Sequence, residues 1–71
     1  MTLTIKSITI HKADENGRGG LEVETGDDKT ESISLQRGMP AYVAGHLLVV
    51  MGHKLMKRAN EVAELEKLNG N

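Results

Sequence analysis

Residues 40–68 constrain the fold of this chain more than any other stretch. Pro40 is acceptable in the first turn of a helix, and Asn69-Gly70 is a helix stop signal. The residues between them predict one helix about 42 Å long, at about 1.5 Å per residue. A compact globule of this chain length is only about 30 Å across, so we expect the helix to overhang its sheet or to bend. A break at Gly52 is the alternative, but a glycine costs only about 1 kcal/mol there, which favours continuity.

The apolar side chains of this helix cover too wide an arc for one small sheet. At about 100° per residue they span about 200°, whereas a surface helix needs little more than about 100° to cover a core. Within the arc a line of small residues would let another backbone approach closely. We therefore predict a homodimer, or a higher oligomer, formed through the helix, with the glycines merely accommodating the sheet as the alternative. The predicted interface residues are Ala41, Gly45, Leu48, Gly52, Leu55, Met56 and Ala59.

The first half of the chain predicts three strands, at about residues 2–11, 20–25 and 30–36. In the first, Ile5 is at an odd position and Ile8 and Ile10 are at even ones, which indicates either a β-bulge near Lys6 or apolar residues on both faces. Glycine-rich residues 16–20 favour a hairpin loop over a phosphate-binding loop, because no helix follows them. Residues 26–28 predict a second turn with two solvated aspartates.

The predicted fold class is therefore α+β, a three-stranded antiparallel meander followed by one long C-terminal helix (βββα), in a single domain of residues 1–71. Short connections between the strands favour the antiparallel arrangement. Domains this small often gain stability by oligomerising when they lack disulfides or metals.

Composition argues against several classes of function. The net charge is −1 and Tyr42 is the single aromatic residue, which counts against nucleic-acid binding without excluding a local patch. The chain has no cysteine, so it has no Cys-based metal site, and its composition suits the cytoplasm. The longest apolar run is far short of the about 20 residues that span a bilayer. No nucleophile motif, metal site or cofactor motif is present, and we predict that the protein is not an enzyme.

The candidate residues for binding a partner or ligand lie in a polar stripe opposite the apolar arc and in a basic cluster of the same helix, whose Arg58 projects nearer to the arc. They are Tyr42, His46, His53, Lys54, Lys57 and Arg58. The two histidines are seven residues apart, which is a poor spacing for one metal ion within a chain, although two copies could bring them together. The basic residues could hold a phosphate or an acidic protein surface, or could be an ordinary solvated face.

These observations predict a non-catalytic binding protein that inhibits or modulates a larger protein. Tiny domains with a sheet, a long helix and no catalytic residues are common among small inhibitors encoded by phages and mobile elements, which is an association of format and not of residues. The alternatives are a protein that sequesters an anionic small ligand or nucleotide at a subunit junction, and a small nucleic-acid-binding regulator.

Overall fold

The computed structural model describes residues 2–69, which form three strands followed by one helix. The strands are β1 (Ile5–His11), β2 (Arg18–Thr25) and β3 (Thr30–Gln36), and the helix is α1 (Ala41–Asn69). Both strand pairs are antiparallel, with β2 in the centre of the sheet. The predicted βββα architecture is therefore confirmed.

An irregularity in β1 places all its isoleucines on one face of the sheet. The register shifts between Ile5 and Ser7, after which Ile8 pairs with Val23 and Ile10 pairs with Leu21. Because side chains alternate along a strand, the shift brings Ile5 back to the face of Ile8 and Ile10. Of the two interpretations of this strand, the β-bulge is the one that the structure shows.

The apolar face of the sheet continues through all three strands. Leu21 pairs with Ile33, and Gly19 pairs with Leu35. The opposite face is polar and carries ion pairs between neighbouring strands, such as Lys6 Nζ to Glu24 Oε2 at 3.8 Å and His11 Nε2 to Glu22 Oε1 at 3.3 Å. One face of the sheet is therefore built to be covered and the other to meet water.

The turn between β1 and β2 is fixed by the side chain of Asp14 and by the conformation of Gly17. Between β1 and β2, the Asp14 carboxylate accepts hydrogen bonds from the backbone N–H groups of Asn16 and Arg18, both at 2.9 Å. Gly17 adopts a φ of 80° there, a conformation that costs other residues energy.

Strand β2 begins two residues earlier than predicted, because Gly19 and Gly20 pair within the ladder. A Cβ on Gly20 would lie 2.5 Å from the Ile33 carbonyl oxygen, so glycine permits this close pairing.

Helix α1 is continuous through Gly52 and packs on only one strand. The Pro40 carbonyl accepts hydrogen bonds from the N–H groups of Val43 (3.0 Å) and Ala44 (3.2 Å), which begins the helix. Its backbone packs against β3 and not against β1 or β2. At 29 residues it is about 43 Å long, whereas the seven-residue strands are about 24 Å long. The helix therefore overhangs the sheet, as its length predicted.

The resulting molecule is elongated and has a very small core. Its radius of gyration is 15.0 Å and its longest extent is 52 Å, against a radius of about 11 Å for a compact domain of this length. Only Val23 and Met51 form the buried apolar core of the described residues. One helix on an edge strand leaves most of the apolar sheet face without a cover.

Candidate functional site

Arg58 joins the middle of α1 to the turn between β2 and β3. Its Nη2 donates to the Thr25 hydroxyl at 2.8 Å and to the Asp27 carboxylate at 2.9 Å, and its Nη1 donates to Glu31 Oε2 at 3.3 Å. The Arg58 side chain is only 16% exposed. Among the six predicted binding residues, Arg58 thus differs from the others, because its guanidinium points towards the sheet and fastens the helix to it.

The acceptors of Arg58 are ordered by further contacts. Thr25 is 1% exposed, and its hydroxyl lies 2.5 Å from Asp27 Oδ1 and 3.1 Å from the Lys29 carbonyl oxygen. The hydrogen bond from Thr25, together with those from Arg58 and the guanidinium charge, lowers the pKa of Asp27 below its ordinary value. Asp27 therefore stays ionised to a lower pH than an ordinary aspartate and matches the charge of Arg58.

This network corrects the expectation that both aspartates of the turn are merely solvated. Asp27 binds Arg58, and Asp28 accepts a hydrogen bond from Lys6 Nζ at 2.6 Å. The partners are 22 and 31 residues apart along the chain, so local turn chemistry did not indicate them. The one available signal was that Arg58 lies close to the apolar arc of the helix, on the side that meets the sheet.

The other five predicted binding residues are exposed on α1, and Tyr42 is 81% exposed. His46 and His53 share the outer side of the helix, but they are about 10.5 Å apart along its axis. Over residues 2–69, no three histidine or carboxylate side chains converge as metal ligands would. The stripe is therefore an open surface, and its role in binding stays a prediction.

The predicted interface residues lie along one flank of α1, which we call the helix flank (Ala41, Gly45, Leu48, Gly52, Leu55, Met56 and Ala59). Leu48 is 45% exposed and Met56 is 63% exposed. A Cβ on Gly45 or Gly52 would meet nothing within 4 Å. The sheet therefore does not need these glycines, which removes the alternative explanation that they accommodate it.

The apolar face of β1 is a second surface without a cover. Ile8 is 63% exposed and Ile10 is 76% exposed, although both point to the same face as the buried Val23. The helix flank and the start of β1 border a common cleft of about 220 Å³, where Leu55, Met56 and Ala59 face Leu3 and Ile5. The two apolar surfaces are therefore continuous at this end of the molecule.

A larger cleft of about 460 Å³ lies between the helix and the turn after β2. It is lined by Arg58 and Lys29, but also by Asp27, Glu31 and Glu61. The guanidinium is already paired with two of these carboxylates. The cleft thus lacks the excess of positive charge that an anionic ligand would need.

Comparison with known proteins places this chain in no group: no family model, curated protein or solved structure matches it. Within the part of the chain that the structure describes, no helix is both long enough and apolar enough to cross a bilayer. Function must therefore be argued from the surfaces described above.

Proposed function

We propose that this chain is a non-catalytic binding protein that works as a homodimer and inhibits or modulates a larger protein by covering part of its surface. The observation that carries the proposal is the uncovered apolar face of β1 with its three exposed isoleucines, Ile5, Ile8 and Ile10. Contiguous apolar surface of this kind marks an interaction site in a soluble protein. The proposal places the protein in the cytoplasm, in keeping with its lack of cysteine. Its architecture, a small sheet followed by one long helix, is of the kind found in small inhibitors encoded by phages and mobile elements.

The position of β1 also suits a protein partner. Among the strands of residues 2–69 it pairs with β2 alone, so its other edge offers backbone hydrogen-bonding groups as well as the apolar side chains. A larger protein can therefore meet both an unpaired strand edge and an adjoining apolar face.

A capture experiment with matched variants tests this function. The tagged wild-type chain and the variant Ile8→Lys/Ile10→Lys are incubated with a lysate of the cells that produce the protein. The control, Ser7→Lys/Thr9→Lys, adds the same charge to the polar face of the same strand. We expect one stoichiometric protein to be captured by the wild type and the control and to be lost with the isoleucine variant.

Two results would contradict the proposal. One is that the wild type captures no stoichiometric partner, and the other is that the isoleucine variant captures it as well as the control does. Circular dichroism of all three proteins shows whether the fold is retained.

Binding of an anionic ligand or a nucleic acid is the alternative, and the exposed basic side chains of His53, Lys54 and Lys57 support it. Neither lysine forms a salt bridge with another side chain of the described residues. A thermal-shift panel of nucleotides and a duplex-binding assay at about 50 mM salt, where phosphate contacts contribute most, separate this alternative from protein binding. A flat response in both assays removes it.

A further inference from the structure

The residue types along one side of α1 are mirrored about Gly52. Moving outwards from Gly52 in both directions, small residues are found opposite small ones and large residues opposite large ones. The equidistant pairs are Val49 and Leu55, Leu48 and Met56, Gly45 and Ala59, and Ala41 and Ala63. All of these lie within one side of the helix, because they are three, four, seven or eleven residues from Gly52.

A mirrored pattern is what an antiparallel pair of identical helices requires. When a two-fold axis passes between two antiparallel helices, a residue a given number of positions before the axis faces the partner residue the same number after it. A surface that binds an unrelated protein, or a parallel copy, has no need of this mirror. The pattern therefore points to a second copy of this chain and to one orientation of it.

The space above the glycines fits such a partner. An added Cβ at Gly45 or Gly52 would meet nothing within 4 Å, while each glycine costs the helix about 1 kcal/mol relative to alanine. Among residues 2–69, no close neighbour of these two positions explains why glycine is kept there. A second helix backbone crossing at close range would explain it, since small residues permit close approach and more extensive contact.

The exposed area of the chain matches what a dimer would bury. The accessible surface is 5637 Å², which is about 1300 Å² more than expected for a compact monomer of this mass. A stable interface of standard size buries about 800 Å² on each partner. One such interface accounts for most of the excess and leaves apolar surface on β1 for another protein.

We infer that two copies of this chain pair through α1 in antiparallel orientation, with the two-fold axis next to Gly52. Gly45 then faces the partner's Ala59, and Leu48 lies level with the partner's Met56. The inference rests on the homodimer in the proposed function and specifies how that dimer is built. The histidines of the polar stripe lie about 100–120° around the helix from Gly52, so this pairing keeps them outside the contact.

Cysteine cross-linking tests the orientation, since the natural chain has no cysteine. Gly45→Cys and Ala59→Cys are prepared as separate variants, and each is oxidised alone and in an equimolar mixture. In an antiparallel pair, two copies of residue 45 are about 21 Å apart along the axis, well beyond the about 7 Å that a disulfide tolerates between Cα atoms. We expect a disulfide-linked dimer in the mixture and none with either variant alone.

Each other outcome overturns the inference. Cross-linking of each single variant alone shows a parallel pair, and no cross-link in any sample places the contact elsewhere. The homodimer of the proposed function is judged separately, by light scattering. A mass of twice the 7.7 kDa of one chain still supports it in both of these cases. A 7.7 kDa particle rejects the homodimer as well, while the capture experiment still decides on the larger protein.

A substitution at the proposed axis supplies a second measurement. Gly52→Leu meets open space within the subunit and improves helix propensity, so the subunit should keep its fold. We expect its mass by light scattering to fall to that of the monomer, with the helical circular dichroism retained. The control Lys57→Leu, about 140° around the helix, should stay dimeric; a dimeric Gly52→Leu would contradict the proposed axis.

Discussion

At the scale of single residues, Arg58 is a main link between the helix and the sheet. The helix and the sheet share few buried apolar side chains, since only Val23 and Met51 are buried in the described core. Under these conditions a nearly buried guanidinium with three acceptors is a large part of the tertiary contact. The removal of Arg58 should cost stability, because it would leave the partly buried carboxylates of Asp27 and Glu31 without a neighbouring positive charge.

Replacing Arg58 with methionine should therefore destabilise the fold. The change keeps much of the apolar stem but removes the hydrogen bonds to Thr25, Asp27 and Glu31, and we expect the free energy of unfolding to fall by about 1–3 kcal/mol. Urea unfolding at one fixed protein concentration measures it. The neighbouring exposed Lys57→Met should change stability by less than about 0.5 kcal/mol, and equal effects of the two variants would show that the network contributes nothing.

The lowered pKa of Asp27 gives the same network a dependence on pH. Because the folded-state pKa lies below the unfolded value of about 3.9, the unfolded chain binds more protons in acid. The stability that Asp27 contributes is then fully present above that value and is lost as the pH falls through the folded-state pKa. We expect Asp27→Asn to be less stable than the wild type at pH 7, with a gap that narrows below about pH 4.

The adjacent Asp28 supplies the matched control for this titration. It belongs to the same turn, and its φ of 64° is a conformation that asparagine also tolerates. Asp28→Asn removes one negative charge from the same turn but leaves in place the hydrogen bonds that Asp27 accepts from Thr25 and Arg58. A gap between wild type and Asp27→Asn that stays constant from pH 7 to pH 3 would contradict the lowered pKa.

At the scale of elements, the sequence predicted whatever depends on local periodicity. The helix and the strands follow from the spacing of apolar residues, and the antiparallel meander follows from the short connections. The spacing in β1 left the β-bulge near Lys6 as one of two interpretations, and the register of the sheet decided between them. The start of β2 was harder to predict, since Gly19 and Gly20 signal a turn locally. In the structure Gly19 pairs with β3, and Gly20 pairs with both β1 and β3. Tertiary pairing overrode the local preference there.

The parts of the candidate site also differ in how far the sequence predicted them. The width of the apolar arc predicted a helix flank that the sheet does not cover, and the open space above Gly45 and Gly52 agrees with it. The contacts of Arg58 with Asp27 and Glu31 could not be predicted, because they depend on which end of the sheet the helix crosses. That geometry is set by long-range packing and leaves no mark in local spacing.

At the scale of the whole molecule, the shape of the subunit is itself an argument for association. An elongated particle with two buried apolar side chains in its described part buries little surface to set against the entropy of ordering the chain. The uncovered faces of α1 and β1 are where the missing burial would come from. Pairing should therefore add to the stability of a folded subunit that is only marginally stable alone, and this links unfolding to dissociation.

This coupling predicts that the melting temperature depends on protein concentration. For a dimer of two such chains, with an unfolding enthalpy of about 100 kcal/mol, each tenfold increase in concentration should raise the melting temperature by about 5 °C. Circular dichroism melts from about 1 to 100 μM measure it, provided that unfolding is reversible. Gly52→Leu, which should be monomeric, is the internal control and should melt at a lower temperature that does not change with concentration. A wild-type melting temperature that is equally flat would mean that the subunit reaches its stability alone, and the apolar faces of α1 and β1 would then have to serve a foreign partner only.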